Sequence, residues 1–318
     1  MNTDTLISVR QLSRYYDELC AVNKINFEIK RGQILGFLGP NGAGKSTIMQ
    51  MLAGTLAPTE GEITIAGYDL IDFPLKAKAA IGYLPEQPPL YRDMLVSEFL
   101  TFCAHLHHIP RNQVKKAINH VIEQCNLAQV KDRLIKNLSK GYQQRVGIAQ
   151  AIVHNPAIVI LDEPTIGLDP IQIREIRNLI QMLGQEHSVI LSTHILSEVQ
   201  TVCNHVQIIN HGQLILNDTV EGLLAHMHTT RLKVGFHYPP AIEKLQQLQT
   251  VNHVSPLEAN YFLIEHTFEH SPAELIVEQS VTHGWGLFEL TPERQTLEQI
   301  FVDLTKAESH DYSALEVA

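Results

Sequence analysis

The residues best suited to carry out chemistry form a glycine-rich loop early in the chain. The loop has the sequence Gly39-Pro40-Asn41-Gly42-Ala43-Gly44-Lys45-Ser46-Thr47, and it lies between an apolar run at 34–38 and a helix predicted at 46–53. Glycines let backbone N–H groups point at a bound anion, and a helix N-terminus adds the positive end of its dipole. Lys45 is placed to reach the β- and γ-phosphates of a nucleotide, and the Ser46 hydroxyl is placed to hold Mg²⁺. The loop therefore predicts a binding site for a nucleoside triphosphate.

Two adjacent carboxylates follow a second apolar run. Residues 157–161 predict a buried strand, and Asp162 and Glu163 come directly after it. The carboxyl end of a parallel strand lies at the edge of the sheet where ligands bind. At that edge Asp162 would face Mg²⁺ near Ser46, and Glu163 would polarise the water that attacks the γ-phosphate. The pair predicts hydrolysis of the triphosphate, with Glu163 and Lys45 as catalytic groups.

A third motif precedes that strand, at Leu138-Ser139-Lys140-Gly141-Tyr142-Gln143. Ser139 is a favourable N-cap for a helix predicted at 140–153, and Gly141 lets a phosphate approach the backbone. The segment resembles the Leu-Ser-Gly-Gly-Gln signature of ATP-binding-cassette (ABC) ATPases, with Lys140 and Tyr142 in place of a glycine and the glutamine. The resemblance implies that the nucleotide is ATP, and that Ser139, Lys140 and Gly141 act across a dimer on the γ-phosphate held by a second chain.

Further segments match the pattern of ABC ATPases in the same order. Tyr16 lies where the family places an aromatic ring that stacks on adenine, although the adjacent Tyr15 is an alternative. The loop Gly167-Leu168-Asp169 resembles the dimer-contacting loop that follows the second carboxylate. His194, at the end of a strand predicted at 188–192, resembles the switch histidine that contacts the γ-phosphate, and is therefore predicted to be catalytic.

One segment departs from the family pattern. The glutamine that senses the metal and the permease falls at Glu86, and Gln87 follows one place later. A glutamate can hold Mg²⁺ or its water as well as a glutamine can, but it adds a charge. Glu86 is therefore predicted to join Ser46 and Asp162 at the metal, with Gln87 as the alternative.

The order of predicted elements favours an α/β protein with a P-loop NTPase core. The continuous apolar runs at 34–38 and 157–161 are typical of parallel strands buried on both faces. Segments within 6–29 and 205–217 alternate in polarity, which predicts antiparallel pairing and an antiparallel edge β-sheet. The segments around the signature predict a helical subdomain. We predict a cassette at 1–222, a linker at 223–230, an accessory domain at 231–307 and a disordered tail at 308–318.

The predicted accessory domain has the element order β-α-β-β-α-β, followed by a helix at Thr296–Lys306. This order predicts a small α+β domain, and it contains no catalytic motif. Two roles stay open for it. One is dimerisation or contact with a permease, and the other is the sensing of a regulatory ligand.

Composition limits the classes of function. The chain has 318 residues and a net charge of −10, which argues against a general nucleic-acid binder. The four cysteines, at 20, 103, 125 and 203, form no Cys-x-x-Cys pair, which predicts reduced thiols. We expect neither a membrane span nor a signal peptide, since no apolar run is long enough and the start is polar.

The resemblance to ABC ATPases covers roughly residues 5–220. The sequence Gly82-Tyr83-Leu84-Pro85-Glu86, together with a C-terminal domain, resembles the bacterial ABC-2 or gliding-motility-type subunits. That likeness implies an ATPase that pairs with a second cassette, identical or paralogous, and powers a separate exporter permease at the inner face of the cell membrane. The alternative is a non-transport ABC ATPase that acts on ribosomes or DNA. The single phosphate loop, the absence of heptads and the acidic charge argue against that alternative.

Overall fold

Strands and helices alternate through most of the chain in the computed structural model, which describes residues 4–225, 231–258, 260–267 and 271–293. The strands, in chain order, are β1 (Thr5–Tyr16), β2 (Leu19–Lys30), β3 (Ile34–Leu38), β4 (Glu60–Ile65), β5 (Tyr68–Asp69), β6 (Ile81–Leu84), β7 (Ile158–Asp162), β8 (Ser188–Thr193), β9 (His205–Asn210), β10 (Gln213–Thr219), β11 (Arg231–Phe236), β12 (Val251–Pro256), β13 (Tyr261–His266) and β14 (Leu287–Pro292). The helices are α1 (Lys45–Leu52), α2 (Pro74–Ala79), α3 (Val96–Leu106), α4 (Arg111–Gln124), α5 (Lys140–Ile152), α6 (Pro170–Leu183), α7 (Leu196–Val202), α8 (Val220–Ala225), α9 (Ile242–Gln246) and α10 (Ala273–His283), with a 3₁₀ turn at Ile135–Asn137. The chain divides into two compact units between Val220 and Glu221.

The first unit is built around a sheet with the strand order β10-β9-β3-β8-β7-β6. Strands β9, β3, β8, β7 and β6 run parallel, and only β10, at the edge, is antiparallel to its neighbour β9. Every residue of β7 and β8 is buried, as expected for strands covered on both faces. The predicted antiparallel pairing at 205–217 is therefore correct for β9 with β10, but β9 also pairs in parallel with β3. All but the first residue of β9 are buried, which matches an interior strand.

A second sheet in this unit has the order β2-β1-β4-β5 and is antiparallel throughout, which confirms the predicted edge sheet. Its buried side chains join one apolar core with those of β3 and α1. Helices α3, α4 and α5 pack against one another as the predicted helical subdomain. The apolar side chains of α3 and α4 face this packing, because they recur at the spacing of one helix face.

The second unit contains an antiparallel sheet with the order β12-β13-β11-β14. Helix α9 packs against β12 and α10 packs against β14, in the predicted β-α-β-β-α-β order. Its core is closed by apolar residues from both helices and the sheet: Leu232, Val234, Phe236, Leu245, Val254, Phe262, Ile264, Ile276 and Trp285. The helix predicted at 296–306 and the tail at 308–318 lie outside the described residues.

The four cysteines are free thiols, as predicted. Burial raises the pKa of Cys103 to about 11 and that of Cys125 to about 12, so both stay protonated at neutral pH. Among the residues that the structure describes, no helix combines the length and apolar character needed to cross a bilayer.

Two histidines stack where the helical subdomain meets the central sheet. The rings of His107, after α3, and His154, after α5, are parallel within 3° with centroids 3.7 Å apart. His154 Nε2 donates to the carbonyl oxygen of Ile81 at 2.9 Å, and its buried Nδ1 has no partner within the described ranges. Burial, with a further contribution from His107, lowers the pKa of His154 from 6.5 to about 4.

This pair should make folding sensitive to acid. Between pH 6.5 and pH 4 the unfolded chain binds a proton at His154 that the folded chain excludes, so stability is full above pH 6.5 and declines below it. From pH 6.5 to pH 5 this group should lower the free energy of unfolding by about 1.5 kcal/mol. Urea unfolding at both pH values should show that His154→Asn loses less free energy of unfolding between pH 6.5 and pH 5 than the wild type does, by that amount. The exposed His120→Asn should behave like the wild type, and an unchanged pH dependence in His154→Asn would contradict this assignment.

Candidate active site

The glycine-rich loop connects β3 to α1 as predicted, and two of its glycines are required by close packing. Gly44 has a φ of +99°, and a Cβ there would lie 2.5 Å from the carbonyl oxygen of Ala21. A Cβ on Gly39 would collide with the carbonyl oxygen of Ile209. No side chain caps α1, which begins directly after Gly44. The first N–H groups of this helix therefore stay available to an anion.

Lys45 lies inside the loop and is almost completely buried. Its Nζ donates to the carbonyl oxygens of Gly39 at 2.8 Å and Pro40 at 3.1 Å, and lies 3.7 Å from Glu163 Oε1. Burial lowers the pKa of Lys45, while the charges of Glu163 and Asp162 act in the opposite direction. The ammonium group is thus held by carbonyls and a carboxylate at the place where phosphate oxygens are predicted.

Asp162 connects the loop to the central sheet. Its Oδ1 accepts hydrogen bonds from Ser46 Oγ at 3.1 Å and from Ser192 Oγ at 2.5 Å. The parallel register of β7 and β8 pairs Asp162 with Ser192, so the serine is fixed beside the carboxylate. Asp162 is 2% exposed, and the two hydroxyl donors on Oδ1 offset part of the cost of burying the carboxylate.

Glu163 follows Asp162 in a left-handed backbone conformation, with a φ of +46°. A non-glycine residue in this region costs about 1 kcal/mol or more, and such residues cluster at functional sites. The conformation is held because the Glu163 N–H donates to Ser192 Oγ at 2.9 Å and its carbonyl accepts from Ile166 N at 3.2 Å. It turns the Glu163 side chain towards Lys45 and His194.

His194 faces the Glu163 carboxylate from the end of β8. Its Nδ1 lies 3.0 Å from Glu163 Oε2 and 3.2 Å from Oε1. A carboxylate oxygen accepts hydrogen bonds, so in this contact the Nδ1–H of His194 is the donor and Glu163 is the acceptor. The Glu163 carboxylate is thereby held between an ammonium group and an imidazole.

The donor set beside the loop fits Mg²⁺. Ser46 and Asp162 offer a hydroxyl and a carboxylate oxygen, and Mg²⁺ binds through one or two protein oxygens plus phosphates and water. Among the described residues no three His, Cys, Asp or Glu side chains form a metal cluster, which such a site does not need. When bound by Ser46 and Asp162, the ion would supply charge neutralisation for the phosphates of the nucleotide.

The signature residues line a separate cavity. Ser139 caps α5, with its Oγ accepting from Tyr142 N at 3.4 Å. Ser139 and Gly141 share a cavity of about 340 Å³ with Asp169, the N-cap of α6. Asp169 accepts from Ile171 N and Gln172 N at 3.0 and 2.9 Å, so this predicted dimer-loop residue also fixes the start of a helix.

Comparisons with known proteins assign the family. Residues 22–166 match the family model described as ABC transporter. The bacitracin transport ATP-binding protein BcrA of Bacillus licheniformis is 39% identical to this chain, over 66% of this chain and 69% of BcrA. The chain belongs to the ABC transporter ATP-binding proteins. It therefore binds and hydrolyses ATP as the ATP-binding subunit of a membrane transporter.

Two further matches show how much of this ABC subunit is shared. The linearmycin resistance ATP-binding protein LnrL of Bacillus subtilis is 28% identical over 94% of this chain and 98% of LnrL. A solved structure of an ATP binding subunit of an ABC transporter matches at a TM-score of 0.63 and 28% identity, covering 70% of this chain and 92% of that one. The predicted ABC cassette fold is thus confirmed, and the action on ribosomes or DNA is not favoured.

The remaining predicted site residues of the ABC subunit lie on exposed segments. Tyr16 ends β1 with 41% of its surface exposed and the Arg14 guanidinium 4.7 Å from its ring centroid, whereas Tyr15 is half-buried. Glu86 and Gln87 are both exposed and line one cavity of about 330 Å³ together with Lys140. Leu168 N donates to Thr165 O at 3.2 Å and closes the predicted dimer loop.

Gly167 in that loop has a φ of +68° and lies against the side chain of Lys140. A Cβ at Gly167 would collide with Lys140 Nζ. The lysine that replaces a signature glycine therefore contacts the dimer loop of its own chain.

Three buried polar residues at this site are not marked by any motif in the sequence. Ser192 joins Asp162 to the Glu163 backbone, and Thr165 and Thr193 flank the two loops that carry Glu163 and His194. The sequence feature that could have indicated them is a run of polar residues at the end of an apolar strand. It could not show which neighbouring strand these side chains would meet.

Proposed function

We propose that this ABC subunit couples ATP to transport through a site shared between two cassettes. The observation that supports the proposal is that the phosphate-binding and catalytic residues form one group, while the signature residues line a different cavity. Lys45, Ser46, Asp162, Glu163 and His194 are linked by direct contacts, whereas Ser139 and Gly141 line another cavity with the dimer loop. ABC cassettes bind ATP and dimerise, so a second chain can bring its signature to the first group.

The chemistry follows from the charges in the first group. The loop N–H groups and Lys45 bind the β- and γ-phosphates, and Ser46, Asp162 and either Glu86 or Gln87 hold Mg²⁺. Glu163 accepts the proton of the attacking water, and His194 holds the Glu163 carboxylate towards the γ-phosphate. Tyr16 stacks on the adenine, and Ser139, Lys140 and Gly141 of a second chain complete the phosphate site.

Closure of the two cassettes is the step that transmits energy. ATP shifts the population towards the closed dimer because its γ-phosphate contacts both chains there, and only one chain in the open form. Hydrolysis removes that bridging phosphate and allows reopening. Residues 167–169 lie beside the signature and form part of the contact between the chains.

We infer that the transporter is an exporter of the ABC-2 type. This inference rests on the names of the relatives, which concern bacitracin transport and linearmycin resistance. The permease is a separate membrane subunit, and the cassette docks on it at the inner face of the cell membrane. The division into a cassette at 1–222, a linker at 223–230 and an accessory domain at 231–307 is part of this proposal, with dimerisation or permease contact as the role of the last.

Mixing two inactive variants tests the shared site. In a mixed dimer of Lys45→Ala and Ser139→Ala chains, one site combines both defects and the other has an intact Lys45 and an intact Ser139. Each variant alone should be inactive, and an equimolar mixture should regain about a quarter of wild-type ATPase activity, if half of the dimers are mixed. Lys45→Ala mixed with Glu163→Gln is the matched control, because both residues belong to the same half of the site, so no site in that mixture is intact and no activity should return. A mixture of Lys45→Ala and Ser139→Ala chains no more active than its components would contradict a site shared between chains.

A further inference from the structure

A buried carboxylate that is not among the residues predicted to touch the nucleotide lies near the active site. Glu198 lies in the first turn of α7, four residues after His194, and is 2% exposed. A buried carboxylate is costly unless its oxygens are hydrogen-bonded or paired with a cation. The partners of Glu198 therefore indicate its role.

Glu198 accepts hydrogen bonds from two buried threonines, one on each carboxylate oxygen. Thr165 Oγ1 donates to Oε1 at 2.6 Å, and Thr193 Oγ1 donates to Oε2 at 2.7 Å. Arg177 of α6 adds a charged contact, with Nη2 at 3.4 Å from Oε1. The threonines are 3% and 0% exposed, so neither hydroxyl has water as a substitute partner.

These two threonines lie close in sequence to the predicted catalytic side chains. Thr165 comes two residues after Glu163, in the loop that leads to α6. Thr193 directly precedes His194, and its Oγ1 also accepts from Ile195 N at 3.0 Å. Glu198 is thus the common acceptor for the loop that carries Glu163 and the loop that carries His194.

We propose that Glu198 is a positioning residue that keeps the Glu163–His194 contact aligned for hydrolysis. It acts through Thr165 and Thr193 and does not touch the nucleotide. The inference rests on the proposed roles of Glu163 and His194.

A carboxylate suits this position because it offers two acceptors to two donors. A glutamine of the same size offers one acceptor and an NH₂ group, so one of the threonines would have to reverse its hydrogen bond. If only packing mattered, an apolar side chain would stabilise the site at least as well as a buried ion pair does. The ion pair with Arg177 further links α6 to α7, which are the helices that follow the segments carrying Glu163 and His194.

The test replaces each threonine by valine, which has the same shape and lacks the hydroxyl. Thr165→Val and Thr193→Val should each lower kcat for ATP hydrolysis about tenfold, with the KM for ATP within about twofold of the wild type. The double variant should lose less than the product of the two effects, because both act through Glu198. Thr201→Val is the matched control: Thr201 lies on the exposed side of α7 and donates only to Ser197 O, at 2.7 Å. It should keep kcat within twofold.

Glu198→Gln provides a second test, in which the replaced side chain has the same size. It should show the same split, a lower kcat with an unchanged KM, and a melting temperature close to that of the wild type. Unchanged kcat in all these variants would overturn the inference. A lower kcat accompanied by a raised KM and a lower melting temperature would also overturn it, because that combination indicates a structural role only. If the wild-type chain hydrolyses ATP and Glu163→Gln does not, the proposed function stands, and either of these two results contradicts only the role of Glu198. If Glu163→Gln is fully active, the proposed function fails and this inference with it.

Discussion

Glu163→Gln should hydrolyse ATP at least about 100-fold more slowly than the wild type, because a carboxamide cannot accept the proton of the attacking water. The substitution preserves size, and the backbone N–H that donates to Ser192 Oγ at 2.9 Å is unaffected. ATP binding should persist, since Lys45 and the loop N–H groups are unchanged. The loss should therefore fall on kcat.

The measurement is steady-state phosphate release, together with equilibrium binding of a fluorescent ATP analogue. Glu123→Gln makes the same chemical change at an exposed position on α4 and should retain full activity. Phosphate release by Glu163→Gln at the wild-type rate would rule out Glu163 as the base.

Lys45→Ala should lower the affinity for ATP by about 100-fold or more, since it removes a charge-assisted contact to the phosphates in a buried site. Lys45 is 5% exposed, and its Nζ donates to two loop carbonyls and lies 3.7 Å from Glu163 Oε1. Lys45→Met keeps most of the volume of the side chain and should lose affinity similarly, which separates loss of charge from collapse of the loop.

Equilibrium titration with ATP and Mg²⁺, followed by circular dichroism of each variant, measures binding and folding separately. Lys116→Ala, at an exposed position on α4, is the matched control and should bind ATP normally. Tight ATP binding by a folded Lys45→Met chain would contradict the assigned role of the loop.

The glycine-rich loop and its place between β3 and α1 were predictable from sequence because the motif is made of residues close in the chain. The spacing from Gly39 to Ser46 determines where an N–H, an ammonium group and a hydroxyl can lie. The apolar run before Asp162 likewise predicts a buried strand that ends in carboxylates. Such local patterns also predicted the edge sheet and the order of elements in the second unit.

The contacts between distant segments could not be predicted in this way. Ser192 meets Asp162 only because β7 and β8 are neighbours in a particular register, and strand order depends on packing across the whole sheet. The dual role of β9, parallel to β3 and antiparallel to β10, has the same cause. Glu198 gave no signal, because a glutamate on a short helix is usually exposed and only the folded chain buries it between two loops.

The most direct test of the central claim is the mass of Glu163→Gln in solution, measured by light scattering after size exclusion. In the proposed mechanism ATP binds between two cassettes, so that closure needs the γ-phosphate. With ATP and Mg²⁺ this variant should run as a dimer, and with ADP as a monomer. A Glu163→Gln chain that binds ATP and stays monomeric would contradict the shared site.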